Sequence, residues 1–387
     1  MIIDTSIVIF AGAILLVTCL TPMLSPFSRF LPKRKSEEDT NVVLPPLTIL
    51  VTPHKQSQEL EKNIPNFLLQ DYPAGIEIII VAEKGDKETE DVISRLTKDK
   101  RIYATYVPES SRYVSRKKLA VTLGVRAAHN EWIVMTDASS VPASNQWLKL
   151  MGEKCQKDID MVIGYSNYNQ DAPRFYRFER LYTALYLLRE SYKTAYRTNG
   201  TNLFFRKSLF TDGEGYRGNL DVIRGEYDFL VNKFARPFHT AVVTTPDAWV
   251  LDAPPLPEAW LKQQLHYMHI RRILRRKCQH RFLPYLDQIA FHVNNLIILL
   301  AFSYSFTIIM RDENLYDAGL LCGTSIFAAF ASYFCRCYKC ARIVKYFEKD
   351  ISPWVVPFYE IRILWHRIYT LFRYWSRDEL DFSTHKI

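Results

Sequence analysis

The stretch SRKKLAVTLGVRAAHNEWIVMTDASS, residues 115–140, decides the fold that this sequence predicts. It begins with a basic cluster, continues with the apolar spacing of an amphipathic helix, and ends in a short apolar run followed by Asp137. A helix that leads into a buried strand is the repeating unit of a parallel α/β sheet. Ligands of open α/β sheets bind outside the carboxyl ends of the strands, so we expect Asp137 to lie at a binding site.

Basic residues close to that carboxylate predict the kind of ligand. Asp137 can hold a divalent cation, because Mg²⁺ is commonly bound by one or two carboxylates together with substrate phosphates. Arg116, Lys117 and Lys118 can face the phosphates that such a cation bridges.

The alternation of apolar and helical patterns continues on both sides of this stretch. We predict strands at residues 47–51, 76–81, 102–107 and 132–136, and helices at residues 59–70, 88–98 and 118–129. Strands that alternate with helices of this length predict βαβ units in a mainly parallel sheet. The sequence has no glycine-rich phosphate loop of the G-x-x-x-x-G-K-[ST] type, which argues against an ATPase of that class.

Three long apolar runs predict membrane crossings, at residues 7–24, 289–310 and 315–334. A signal peptide is the alternative for the first run, but Asp4 precedes it, basic residues follow it, and no small-residue cleavage pattern appears. Basic clusters follow the first run, precede the second and follow the third, so we expect these three ends on the cytoplasmic side. The net charge of +9 lies largely beside these runs and predicts attraction to anionic lipids. No nucleic-acid-binding module is recognisable, and nucleic acid is not an expected partner.

The chain is therefore predicted to consist of five segments. They are an N-terminal transmembrane helix at residues 1–30, a linker at 31–45, a cytoplasmic α/β domain at 46–280, two transmembrane helices at 281–335 and an amphipathic tail at 336–387. The tail has an aromatic, apolar face opposite arginines between Phe358 and Trp375, which favours a helix in the membrane interface. A helix packed on the soluble domain is the alternative.

The order of motifs over residues 46–267 resembles the nucleotide-sugar half of family 2 glycosyltransferases, in particular bacterial membrane-attached members, and implies a GT-A fold. In that family the turn after the first strand contacts the nucleotide, which implies this role for His54, although Gln56 stands where the family has an acid. The resemblance also assigns Glu83 to the nucleobase and Lys117 to the diphosphate.

The resemblance implies a metal site and a catalytic base as well. Asp137 occupies the first position of the family's Asp-x-Asp motif, which binds the nucleotide sugar and Mg²⁺ or Mn²⁺, but Ser139 replaces the second carboxylate. A hydroxyl is a weaker ligand than a carboxylate, so this departure bears directly on metal affinity. The segment GEYDFL resembles the acidic catalytic loop, with Glu226 as the general base and Asp228 as its partner or alternative.

A last motif differs from the processive members of the family, which carry Gln-x-x-Arg-Trp before the membrane. Here the residues are QQLHY, and the resemblance assigns part of that role in nucleotide-sugar binding to Gln263 and to His266, whose imidazole binds a diphosphate when charged. The absence of the Arg-Trp pair argues against a processive synthase.

The expected function is an inverting, single-addition glycosyltransferase at the cytoplasmic face of the cell inner membrane. Its partners would be a nucleotide-diphosphate sugar as donor, a lipid-linked or other glycan acceptor, and membrane lipids. One alternative is a non-catalytic scaffold with the GT-A fold, which the residues Gln56, Ser139 and Gln263 favour. Another is a nucleotidyltransferase, which would release pyrophosphate rather than a nucleoside diphosphate.

Overall fold

The computed structural model describes residues 4–29, 43–108, 115–275, 277–311, 314–378 and 380–383. The helices are α1 Thr5–Leu24, α2 Pro26–Arg29, α3 Ser57–Leu68, α4 Lys87–Leu96, α5 Arg116–Ala127, α6 Trp147–Gly152, α7 Arg174–Thr194, α8 Lys207–Asp212, α9 Glu226–Phe234, α10 Pro257–Ile273, α11 Cys278–Met310, α12 Leu315–Phe347, α13 Val356–Trp375 and α14 Leu380–Ser383. The strands are β1 Leu47–Val51, β2 Ile76–Glu83, β3 Ile102–Val107, β4 Trp132–Thr136, β5 Ser140–Pro142, β6 Met161–Gly164, β7 Ser166–Tyr168, β8 Leu203–Arg206, β9 Thr240–Val243 and β10 Val250–Asp252.

The chain forms two compact units. One, called here the catalytic unit, takes residues 32–275 and 369–387, and the other, called the helical unit, takes the first 31 residues and residues 276–368. The division falls within α13, so the two halves of this helix are described with different units.

A mainly parallel sheet organises the catalytic unit, as predicted. Among the described residues it has the strand order β3-β2-β1-β4-β8-β6-β9, in which β8 alone runs antiparallel to its neighbours. A smaller sheet has the order β5-β10-β7. Every residue of β1 and of β4 is buried, which is why both strands appear in the sequence as continuous apolar runs rather than as alternating patterns.

Close packing of α5 on this sheet fixes the position of the basic cluster. A Cβ atom at Gly124 would lie 2.2 Å from Cδ1 of Leu50, so the helix can approach β1 this closely because residue 124 has no side chain. The hydroxyl of Ser115 accepts a hydrogen bond from the backbone N–H of Lys118 and caps the helix. As a result α5 begins at Arg116, two residues before the predicted start, and Lys117 lies in its first turn.

The predicted strands and helices of the sheet region are present, and the boundaries differ by at most two residues. Strand β2 extends to Glu83, which carries this carboxylate at the strand end. The spacing G-x-G-x-x-G, which is typical of dinucleotide-binding turns, is found at residues 213–218, where it follows helix α8 and not a strand. It therefore does not form the strand–turn–helix site that binds dinucleotides.

The helical unit contains the predicted apolar helices. Among the described residues three helices are long and apolar enough to cross a membrane: Thr5–Leu24, Tyr285–Met310 and Leu315–Phe347. Polar contacts tie them together, for example the hydroxyl of Thr18, which donates to Oδ1 of Asn294 over 3.1 Å. Helix α12 continues well past residue 335, the predicted end of this segment.

A buried charge cluster involves α12 just past that predicted end. Nη1 of Arg336 lies 2.9 Å from Oε2 of Glu360 on α13, and its Nη2 lies 3.1 Å from Oδ1 of Asp287 on α11. The side chains of all three residues are at most 1% exposed. We call them the Arg336 cluster; because two carboxylates pair with the arginine, its charge can be buried.

Helix α13 has an exposed apolar stripe and a buried stripe, and the predicted location of the tail in the membrane interface stays a prediction. Its exposed large hydrophobic side chains recur every three or four residues and form one stripe: Phe358, Ile361, Trp365, Tyr369, Phe372 and Trp375. Its buried side chains form the opposite stripe: Val356, Glu360, Ile363, Thr370 and Tyr374. Near the C-terminal end of the helix, the hydroxyl of Tyr374 lies 3.1 Å from Nδ1 of His269 on α10.

Candidate active site

Two adjoining cavities of the catalytic unit open at the carboxyl ends of β1, β2 and β4, where the sequence predicts a binding site. The first has a volume of about 380 Å³ and is lined by Thr52, Pro53, His54, Gln56, Val81, Glu83, Val107, Arg116, Lys117, Ala120, Asp137, Ile223, Arg224 and Glu226. The second has a volume of about 230 Å³, and its lining includes Ser139, Tyr168, Arg180, Asp228, Asp252, Gln263, His266 and Tyr267. Lys117, Asp137, Arg224 and Glu226 line both cavities.

A cation between two carboxylates forms the boundary of the cavities. Nζ of Lys117 lies 2.6 Å from Oδ1 of Asp137 and 3.0 Å from Oε1 of Glu226. The hydroxyl of Tyr227 donates to the same Oδ1 of Asp137 over 3.0 Å. We call Lys117, Asp137 and Glu226 the Lys117 cluster; it joins the first turn of α5, the end of β4 and the start of α9.

The charges in this cluster stabilise one another. Burial on its own would lower the pKa of Lys117, but the neighbouring carboxylates of Asp137 and Glu226 raise it above its usual value. For Glu226, burial on its own would raise the pKa, but Lys117 and, to a smaller extent, Arg224 produce a net lowering. Both side chains are therefore charged at neutral pH.

The position of Glu226 depends on Gly225 and on the loop before it. Gly225 has a φ of +93°, in the left-handed region that favours glycine, and it precedes the first turn of α9. Nζ of Lys118 donates to the backbone carbonyls of Asn219 and Val222, each over 2.6 Å, and holds this loop against α5. The side chain of Lys118 is fully buried, so the prediction that it faces the phosphates is wrong.

In the first cavity, polar contacts connect three side chains that come from separate segments of the chain: His54, Glu83 and Arg116. Nδ1 of His54 lies 3.2 Å from Oε1 of Glu83, and Nη1 of Arg116 donates to Oε2 of Glu83 over 2.8 Å. The predicted nucleotide-binding residues His54, Glu83, Lys117 and Asp137 are thus brought together in one cavity.

The two candidate bases have different environments. Glu226 borders both of these cavities, whereas Asp228 borders the second and not the first. A carboxylate oxygen of Asp228 accepts the backbone N–H of Thr198 over 3.3 Å and lies 3.9 Å from Nε of Arg197. Burial raises the pKa of Asp228, although Arg197 opposes this shift.

Gln263 and His266 lie in the second cavity, away from His54 and Glu83. The side chain of Gln263 bridges two phenols: its Oε1 accepts from the hydroxyl of Tyr168, and its Nε2 donates to the hydroxyl oxygen of Tyr267, each over 2.9 Å. Burial, with Arg224 nearby, lowers the pKa of His266 to about 4. A neutral imidazole therefore faces the cavity at neutral pH, in contrast to the charged form considered from the sequence.

Several cavity residues were not predicted. Arg224 is exposed, borders both cavities and directly precedes the Gly225-Glu226 pair, so its position in the sequence could have indicated it. Asp252 accepts hydrogen bonds from the hydroxyls of Ser140 and Thr201 and from Nη2 of Arg180. These partners come from distant segments, and no local pattern marks them.

The contacts of Asp137 test whether the site fits the expected Mg²⁺ or Mn²⁺. Its Oδ1 already holds the ammonium group of Lys117 and the hydroxyl of Tyr227, and Ser139 offers no second carboxylate. Within the described part of the chain, no group of three or more His, Cys, Asp or Glu residues could hold a metal ion. These side chains do not fit a resident divalent cation, and the metal at Asp137 stays a prediction.

The chain is similar to known proteins over part of its sequence and in its fold. Residues 48–211 match the model of a family described as Glycosyl transferase family 2, a range that includes Lys117 and Asp137 and ends before Glu226. Among solved structures, the chain is similar to "Mannosyltransferase PcManGT from Pyrobaculum calidifontis in complex with GDP-Man and Mn2+", with a TM-score of 0.52 and 18% sequence identity over 89% of this chain and 100% of that one. No curated protein matches the chain.

Proposed function

Since residues 48–211 match the model of Glycosyl transferase family 2, we propose that the chain is a membrane-bound, inverting glycosyltransferase that adds single sugars. It takes the sugar from a nucleotide-diphosphate donor and transfers it to a lipid-linked or other glycan acceptor. The observation that carries this proposal is that two cavities meet at a cation and a carboxylate, Lys117 and Glu226.

The first cavity suits the nucleotide part of the donor. Glu83 and His54 offer polar atoms to a nucleobase or ribose at one end, while Arg116 and Lys117 offer positive charge at the other. Positive groups next to a leaving diphosphate stabilise the negative charge that develops on it during transfer. The sugar of a donor bound in this way would lie at the boundary with the second cavity.

The second cavity suits the acceptor, and Glu226 suits the role of general base. Its carboxylate is ionised at neutral pH and borders both cavities, so it can accept the proton of an acceptor hydroxyl as that oxygen attacks the sugar. A single displacement of this kind inverts the configuration at the anomeric carbon. Asp228, tied to Thr198 and Arg197, would hold the start of α9 in place.

The proposal of single addition rests on the second cavity. Gln263, whose counterpart begins the Gln-x-x-Arg-Trp motif of processive members, has both of its polar atoms bonded to Tyr168 and Tyr267. His266, which stands at the position of the motif's arginine, is neutral, and Tyr267 stands at the position of its tryptophan. A growing polysaccharide would therefore lack the contacts that this motif makes.

The membrane part of the proposal rests on three apolar helices and on α13. The basic residues that flank the helices favour an inner-membrane protein whose catalytic unit is cytoplasmic. The exposed aromatic stripe of α13 would lie in the lipid interface. A reporter fused after residue 387 should then be cytoplasmic and one inserted near residue 313 should lie outside, whereas a cytoplasmic signal at residue 313 would contradict this arrangement.

The activity is tested by purifying the full chain in nanodiscs and supplying labelled nucleotide sugars together with a membrane lipid extract. The panel includes GDP-mannose, because the structural neighbour was solved with it. The expected result is a labelled lipid-soluble product and release of a nucleoside diphosphate, both absent in Glu226→Gln. Release of pyrophosphate would instead indicate nucleotidyl transfer, and no turnover with any donor would favour the scaffold alternative.

A further inference from the structure

The position where the sequence predicts a metal is already occupied by a side-chain cation. Nζ of Lys117 lies within 3.0 Å of both Asp137 and Glu226, and its side chain is 31% exposed, so it faces the cavities while it holds the two carboxylates together. An ammonium group has three N–H donors. Two of them point to these carboxylates among the described residues, which leaves one for an oxygen atom of a ligand.

The other carboxylates near this boundary offer a divalent cation little. Ser139 lies where a second acidic ligand would be needed, and Asp252 is engaged by Arg180 and two hydroxyls. A divalent ion placed on Asp137 would also lie within a few ångströms of the Lys117 ammonium, and like charges at such a distance repel each other strongly away from bulk water.

Two further cations point to an anionic ligand at the same boundary. Arg116, next to Lys117 in the first turn of α5, lines the first cavity, and Arg224 lines both cavities. The first turn of α5 also contributes the positive end of the helix dipole, which favours a negatively charged group there. Positive charge for a diphosphate is therefore available from the chain itself.

We propose that Lys117, assisted by Arg224, takes the place of the divalent metal, so that this enzyme binds its nucleotide-diphosphate donor and stabilises the leaving group without Mg²⁺ or Mn²⁺. The inference rests on the proposed function. In the transfer step the bond between the anomeric carbon and the β-phosphate oxygen breaks, and its electron pair stays on that oxygen beside Lys117. The acceptor oxygen forms the new bond to the anomeric carbon, and its proton goes to Glu226. The products are the glycosylated acceptor and a nucleoside diphosphate.

The test is nucleotide binding by the purified full chain, measured by isothermal titration calorimetry separately from turnover. UDP, GDP, CDP and dTDP serve as probes, each in EDTA and again with Mn²⁺. We expect at least one probe to bind in EDTA with a Kd within about threefold of its value with Mn²⁺. Lys117→Ala should weaken that binding at least about tenfold, as expected for the loss of a charge-assisted contact. The exposed Lys98→Ala serves as the matched control and should bind like wild type.

A double variant shows whether Lys117 and a metal are alternatives. Lys117→Ala combined with Ser139→Asp removes the ammonium group and adds a hard anionic ligand, so nucleotide binding should return only when Mn²⁺ is present. Binding of Mn²⁺ is followed independently by its electron paramagnetic resonance signal, with Mn²⁺ plus nucleotide in the absence of protein as the reference. Relative to that reference, wild type should leave the signal unchanged and the double variant should broaden it.

The outcomes separate this inference from the proposed function. Wild type that binds nucleotide only with Mn²⁺, and that broadens the Mn²⁺ signal, would overturn the inference and leave glycosyl transfer intact. Binding in EDTA without transfer to any acceptor would support the inference and contradict the proposed function. Failure to bind any of the four probes, with or without Mn²⁺, would overturn both.

Discussion

The Lys117 cluster of the catalytic unit and the Arg336 cluster of the helical unit have the same composition, one cation between two carboxylates, in different surroundings. In the Arg336 cluster every side chain is at most 1% exposed. In the Lys117 cluster the exposed fractions range from 11% to 31%, and all three side chains border cavities. The first arrangement holds three helices together, and the second presents its charges to a ligand.

The glutamates of the two clusters show the consequence, because their pKa values shift in opposite directions. Burial raises the pKa of Glu360 to about 7, even though Arg336 opposes the shift. Burial acts in the same direction on Glu226, but the positive charges of Lys117 and Arg224 outweigh it and the pKa falls. In the Arg336 cluster burial therefore favours protonation of Glu360, while in the Lys117 cluster the neighbouring cations keep Glu226 ionised, so that it can accept a proton.

Among the substitutions that distinguish the two clusters, Arg336→Met is expected to have the largest effect, a loss of stability. Removing this cation takes away the positive charge that pairs with both buried carboxylates, and breaking a buried ion pair in this way costs about 3–5 kcal/mol. The unfolding midpoint of the purified chain in detergent, followed by tryptophan fluorescence, should fall markedly. Lys339→Met, on the same helix and exposed, is the control and should unfold like wild type. An unchanged midpoint for Arg336→Met would mean that the cluster does not hold the helices.

Glu226→Gln should change catalysis and not stability. A general base contributes about 10²–10⁴-fold to the rate, so turnover should fall by a factor in that range. Nucleoside diphosphate binding should stay within about threefold of wild type, because the base acts on the acceptor. Asp228→Asn is the matched variant on the same helix. If it caused the larger loss of turnover, and Glu226→Gln a small one, the role of base would belong to Asp228.

Asp137→Asn should lower turnover by about a hundredfold, because it removes the charge that orients the Lys117 ammonium group toward the diphosphate. The folded state should persist, since a partly exposed carboxylate is replaced by an amide of the same shape. Kinetics at saturating donor and the unfolding midpoint measure the two effects, with the exposed Asp71→Asn as the control. A drop in midpoint comparable to that of Arg336→Met would show that the Lys117 cluster is mainly structural.

The smallest expected effect is a pH dependence of the helical unit. The folded state keeps a proton on Glu360 up to about pH 7, whereas the unfolded chain releases it near pH 4.5. The folded state therefore binds more protons in this window, and the free energy of unfolding falls as the pH rises through it. Unfolding midpoints between pH 5 and 8 should decline in wild type and decline less in Glu360→Gln. A midpoint that rises with pH in both proteins would contradict the assignment.

The local features of this protein were accessible from the sequence. Strands β1 to β4 and the helices between them follow from apolar runs and helical spacing, which act over a few residues. Asp137 could be assigned to a binding site because a residue that follows a parallel strand lies at the edge of the sheet where ligands bind. The three apolar helices follow from length and composition alone.

The tertiary structure determined the charges of the ionisable groups and the residues that they contact. The hydroxyl of Tyr227 reaches Asp137 across 90 positions of the sequence. Lys118 and Lys117 are neighbours in the sequence, yet Lys118 is buried and donates to backbone carbonyls, whereas Lys117 lies between two carboxylates at a cavity. His266 is neutral because of burial and the nearby Arg224. Desolvation and the field of neighbouring charges depend on every segment that packs around a group. The sequence by itself therefore determined which residues reach the sheet edge, while only the packing of distant segments determined their charges and partners.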